Sequence, residues 1–268
     1  MQEALPTPAK PTTSKWSVWH TLSLFVLIAA IALIIFMMPF QLRLESWLGA
    51  MVLLAAITLI CSHGITGYWR GLLIDQRNCL SLSRLQTSLW TLIIFSAFLS
   101  VVLFNVRGGE NNPLLLISIP IGLWVLMGIS ATSLVGTPLI HNVKQNQDGN
   151  EDETNDTLGQ LANQSVNVDT FTTDGRLLVK KSPANAKWSD LFRGEEVGNA
   201  DQIDLGKTQL FYFTIILVLV YIVTLGYLFA SQAKVINGFP DLNEGTLTLL
   251  GISHATYLTN KAVPHSTS

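Results

Sequence analysis

Ionisable side chains inside long apolar runs are the first candidates for chemistry, because a buried charge or titratable ring must be stabilised by something nearby. Three residues qualify: His63, Glu244 and His254. His254 lies deepest. A lone ring of this kind either relays protons or bonds to a threonine or a carbonyl as a packing group. Glu244 falls near the end of its apolar segment, where it can stay at the interface. If the fold brings His63 and His254 together, they make a proton or metal site, although nothing in their spacing requires it. No zinc spacing is present, and neither a metal nor a cofactor is expected. Paired carboxylates, a nucleophile–base motif and a phosphate-cradling glycine loop are also missing from the sequence. Asp75, Asp190, Glu195 and Glu196 read as solvated loop charges, so the chain is not expected to be an enzyme.

A second set of polar residues opens two apolar segments. Ser83-Arg84-Leu85-Gln86 has the form of a capping box, in which Ser83 takes a backbone N–H and Gln86 reaches back. Gly206 and Gln209 keep half of that arrangement further on. Arg84 and Lys207 are then expected at the membrane edge, within reach of lipid phosphates. The alternative makes Gln86 and Gln209 a symmetric polar pair at a pore mouth. Small residues form a third set: Gly122, Gly128, Ser130 and Thr132, and likewise Gly245, Gly251, Ser253 and Ala255. Gly128 and Thr132, like Gly251 and Ala255, share a helix face and would let two backbones approach closely. They predict that the fourth and sixth helices pack together, or that two copies of the chain pair as a homo-oligomer.

The elements that must position these residues are apolar runs long enough to cross a bilayer, which takes about 20 helical residues. They fall at 19–38, 47–65, 89–106, 113–134, 210–229 and 242–258. Charged residues are only 13% of the chain and apolar ones 49%, against a charged share of about 25% in soluble domains. The sixth run is short and polar. It is expected to be a helix buried among the others, with a re-entrant loop as the alternative. The second half of the chain repeats part of the first at a spacing of 123 residues: Leu82, Gln86, Thr91, Ile93, Gly122 and Gly128-Ile129-Ser130 recur as Leu205, Gln209, Thr214, Ile216, Gly245 and Gly251-Ile252-Ser253. The expected fold is therefore an all-α integral membrane protein of six transmembrane helices. Residues 19–66 form a first hairpin, and 82–138 and 205–261 form two parallel copies of another.

The remaining segments are polar. Residues 1–18 and 262–268 read as tails, the first of them disordered. The loop 139–204 divides into a disordered stretch, 145–164, and a partly folded one, 166–196. Within the latter, Asp174-Gly175 signals a β-hairpin, and 184–193 a short amphipathic helix with Trp188, Leu191 and Phe192 on one face. That face either lies in the headgroup region or docks a cytoplasmic protein. With the N-terminus inside, 13 of the 16 Lys and Arg residues fall on the inner side, so the tails and the long loop are assigned to the cytoplasm, and the membrane to a bacterial inner membrane. The loop carries more acid than base, which argues against nucleic acid. Two function classes follow: a membrane anchor or scaffold for a cytoplasmic assembly held through 166–196, or a small channel or transporter with its pathway at the repeat interface.

Overall fold

Leu, Ile, Val and Phe dominate the long runs, and several of their few Ser and Thr hydroxyls bond back to carbonyls of their own helix, so each run closes into a single helix. The structure, a computed structural model, describes residues 15–109, 117–231 and 235–266. Of the disordered tail expected at 1–18, residues 1–14 lie outside the described residues, as do 113–116 of the fourth run and 267–268 of the second tail, while Val18 already belongs to the first helix. In chain order the helices are α1 (Val18–Met37), α2 (Arg43–Thr66), α3 (Leu82–Arg107), α4 (Ile121–Gln145), α5 (Glu151–Asn163), α6 (Leu205–Ala230) and α7 (Glu244–Ala262). Five of them, α1 to α4 and α6, are long and apolar enough to cross a membrane. α7 is a continuous helix of 19 residues whose composition is more polar.

α3 is the hub. It packs against α1, α2, α4 and α6, while α7 lies against α4 and α6. Half of the apolar window of α3 is buried, against 11% for α1. The centre is filled by large rings: Trp47 stacks on Phe229 with centroids 4.9 Å apart, and Trp90 meets Tyr221 edge-on at 6.0 Å. The outward faces of α1 and α6 are apolar, with Phe25, Val26, Leu219 and Val223 exposed. Such a surface suits lipid and not water.

Several boundaries differ from expectation. Pro120 does not sit inside the fourth span; it is the N-cap of α4, which instead runs on to Gln145 and holds Pro138. Proline suits this place because its missing N–H is one that a helix start leaves unpaired anyway. The stretch 145–164 is not a disordered linker. Asn150 accepts hydrogen bonds from the Asp152 and Glu153 amides and starts α5, whose Leu161 is buried. Residues 184–193 form two short 3-10 turns, Pro183–Asn185 and Trp188–Leu191, in place of an amphipathic helix. Pro183 and the Asp190 carboxylate, which accepts from the Lys187 amide, set those turns. Between α5 and these turns lies the antiparallel hairpin β1 (Phe171–Asp174) and β2 (Leu177–Lys180), turned at Gly175 with φ +57.

α5, the hairpin and the turns build a small head that sits across four helix ends: the starts of α3 and α6 and the finishes of α4 and α7. Main-chain bonds join it to them. The Arg176 amide donates to the Lys144 carbonyl, the Lys180 amide to that of Arg77, and the Asp204 amide to that of Phe192. At the other end of the bundle, the Asn105 side chain bonds to both the N–H and the C=O of Ile236, and Ser118 pairs with Gly238.

Candidate functional site

The junction of head and bundle is a buried ion cluster centred on Glu195. Its Oε1 accepts from Lys207 Nζ at 2.8 Å, from Lys261 Nζ at 2.9 Å and from Arg77 Nη2 at 3.1 Å, while Oε2 meets His141 Nε2 at 2.6 Å. Arg77 also holds Asp75 at 3.0 Å. Beside it, Lys144 pairs with Glu196 and donates to the carbonyls of Lys261 and Val263. Each of these side chains is at least nine-tenths out of solvent. Burial alone would raise the Glu195 carboxyl, but Arg77, Lys207 and Lys261 overturn this and hold it well below its ordinary value. Asp75 follows the same logic: burial would raise it, and Arg77 brings it down. Nearby, burial pushes the Cys79 thiol up to about 11, with Arg77 opposing.

From this cluster a polar ladder climbs into the bundle on three helices. The next rung is Tyr257, whose hydroxyl accepts from Lys261 at 2.9 Å and shares Ser83 Oγ (3.2 Å) with Thr137. One turn further in, His254 lies between Gln86 Nε2 at 2.7 Å and Ser133 Oγ at 2.5 Å. A neutral ring here donates from one of these nitrogens and accepts at the other, and both Gln86 and Ser133 can meet either role. The spacing explains the stacking: Ser133, Thr137 and His141 on α4, and His254, Tyr257 and Lys261 on α7, recur every three or four residues and so share one face. Around the His254 rung, Gln86 Oε1, Ser130 Oγ and Ser253 Oγ are buried without a protein partner.

The structure separates the candidates from sequence into distinct places. His63 and His254 do not form a joint site. His63 bonds to His20 at 3.1 Å and stacks on Trp69, whereas His254 is held by Gln86 and Ser133. Among the described residues no group of His, Cys, Asp and Glu could hold a metal ion. Glu244 is exposed in the first turn of α7. Ser83 and Gln86 are not a capping box: Ser81 is the N-cap of α3, and both side chains turn inward to Tyr257 and His254. In α6 the cap is Asp204, which accepts from the Lys207 amide, not Gly206. Lys207 does not reach lipid phosphates, because its ammonium is spent on Glu195 and the Arg193 carbonyl. Arg84 donates to the Leu72 carbonyl, and Gln209 is exposed, so the two glutamines are not a symmetric pair.

The small residues also divide. α4 and α7 do pack together, but not through Gly128 and Gly251, where an added Cβ would meet nothing within 4 Å. Thr132 and Ala255 are exposed beside them. Gly122 is the close contact, facing Asp241 and the Leu242 carbonyl, whereas Gly245 meets only Asn243. In the head, Leu191 is buried and Phe192 packs on the Phe211 ring at 4.9 Å, so they hold the head in place. Trp188 points the other way and is 56% exposed.

Asp75, Asp190, Glu195 and Glu196 are not the solvated loop charges expected from the sequence but are buried and paired, and His141, Lys144 and Lys261 had no expected role. The polar series Ser130, Ser133, Thr137, His141, Lys144 along one apolar segment was the signal that could have found half of the ladder. No protein-family model, curated protein or solved structure matches the chain.

Proposed function

We propose that this chain is a membrane anchor whose head presents a rigid docking surface to a soluble partner assembly. The Glu195 cluster supports this reading: it fixes the head to four helix ends at once, so a load taken by the head passes directly to the bundle. Trp188 supplies a large exposed ring on the head, the type of residue that anchors protein contacts. In this reading α7 is the sixth span, α3–α4 and α6–α7 are the two hairpins related by the 123-residue spacing, and the head faces the cytoplasm of a bacterial inner membrane. The open faces at Gly128 and Gly251 are where a second copy would pack. The test is the composition of the native complex extracted in mild detergent. A stoichiometric soluble protein that is lost on Trp188→Ala, with the head still folded, supports the anchor. A complex of this chain alone, unchanged by Trp188→Ala, sinks it.

A second reading, a small channel or transporter, draws on one observation, the buried ladder from Glu195 to His254. Titratable groups placed in this way inside a bundle are a common design for moving protons. Proton uptake by vesicles holding the purified chain should then fall on His254→Leu. Equal uptake with and without the chain removes this reading.

A further inference from the structure

The head contains a cavity of about 280 Å³ that neither reading uses. One wall is apolar and is formed by Leu161, Val166, Phe171 and Leu178. The other is cationic: Arg77, Lys180, Lys187 and Arg193 line it, with Asp190 as the one carboxylate. Two of these cations are already neutralised. Lys180 is held by Asp190 at 2.6 Å, and Arg77 by Asp75 and Glu195. Lys187 and Arg193 form no ion pair among the described residues, and Arg193 donates only to the neutral Gln164 carbonyl oxygen at 2.9 Å.

We infer that this cavity binds a small organic oxyanion, a single-ring or short-chain body carrying one phosphate or carboxylate. The anionic group lies against Lys187 and Arg193, and the body lies along Phe171 and Val166. Two cations free of ion pairs, lining the same cavity as apolar side chains, are the composition of a pocket that orients an amphipathic ligand. At this volume the cavity takes a small molecule and not a folded partner. The pocket wall is rigid, because Lys180, Asp190 and Arg77 are locked by their own pairs and leave the shape set before a ligand arrives.

The test uses the full-length chain in neutral detergent and isothermal titration with phenyl phosphate, benzoate, benzyl alcohol and inorganic phosphate. Saturable binding of phenyl phosphate or benzoate is expected, at least about 10-fold tighter than benzyl alcohol or inorganic phosphate, the usual effect of one charge-assisted contact. Whichever of the first two binds more tightly identifies the oxyanion. The double variant Lys187→Ala, Arg193→Ala should weaken binding by about 10-fold or more while its thermal midpoint nearly holds, since neither side chain forms an ion pair and only the exposed Arg193–Gln164 bond is lost. Lys181→Ala, a neighbouring exposed cation outside the cavity, should bind as the parent does. Binding that is no tighter for the aromatic anions than for benzyl alcohol, or that survives the double variant, overturns the inference. So does an equal loss in Lys181→Ala, which would reduce the effect to general surface charge.

Discussion

α3–α4 and α6–α7 start from matching sequence and end in opposite surroundings. α3 opens at Leu82 and α6 at Leu205, and both are 26 residues long. α4 and α7 open at Ile121 and Glu244, the same spacing apart. Yet the matched side chains face different ways. Leu82, Gln86 and Ile93 are buried, whereas Leu205, Gln209 and Ile216 are exposed. Phe104 is 1% exposed and Tyr227 78%. Thr91 and Thr214 reverse the pattern, the first exposed and the second buried. In α6–α7 the buried face lies one residue further along than in α3–α4: His254, Tyr257 and Lys261 take the places that Ser130, Ser133 and Thr137 would predict for Ser253, Thr256 and Asn260. One residue on an α-helix is about 100° of rotation. Matching sequence thus carries the helix starts, while the neighbours choose the face: α3 is surrounded, and α6 has one side without protein neighbours.

This contrast can be broken by paired substitutions at matched positions. The largest gap is expected between Phe104→Ala and Tyr227→Ala. The first should cost about 3–5 kcal/mol as a core cavity, and the second less than about 0.5 kcal/mol. Denaturant titration in micelles measures both, and equal losses would mean that the two faces are alike. Next come the matched cations. Lys207→Ala strands part of the Glu195 charge and should cost about 3 kcal/mol. Arg84→Ala gives up one partly exposed bond and should cost under about 1 kcal/mol.

Acid should act on the same cluster. The folded-state value of Glu195 lies below its ordinary 4.5, so its contribution is complete above that value and is lost as pH falls towards the folded one. The thermal midpoint should therefore drop on acidification below about 4.5, and Glu195→Gln should start lower and lose that part of the slope. An unchanged slope in the variant would place the acid sensitivity elsewhere.

Gln86→Leu removes the bond to His254 and is expected to cost about 1–2 kcal/mol, against less than about 0.5 kcal/mol for Gln209→Leu. The smallest difference lies at the glycines. Gly122→Ala must push aside Asp241 or the Leu242 backbone, whereas Gly245→Ala is exposed and should be neutral or slightly stabilising through helix propensity. Gly128→Leu and Gly251→Leu, which a close-packed interface would forbid, should leave the folded chain intact.

The helices were legible because long apolar runs allow few alternatives in a bilayer. Their faces were not, since apolar residues surround α6 completely and leave no stripe to read. Gln86 looked like a capping residue because a capping box is a local pattern; its actual partner, His254, lies 168 residues away. The Glu195 cluster draws on Asp75, Arg77, His141, Lys207 and Lys261, one or two from each of several separate segments. No window along the chain contains it. Trp188 was read as the apolar face of a helix, yet the turns set by Pro183 and Asp190 send it outward while Leu191 goes inward.

The order of the chain gives the Glu195 cluster one more consequence, which concerns synthesis. Glu195 and Glu196 leave the ribosome before Lys207 exists and long before Lys261 does. Until α7 has been made, the two carboxylates have only part of their countercharge, and Lys144 lacks the Lys261 and Val263 carbonyls it will hold. Without Lys261, Glu195 keeps only Arg77, Lys207 and His141 as partners. The junction is therefore complete only once residues from both ends of this stretch of chain, Asp75 to Val263, have been brought together.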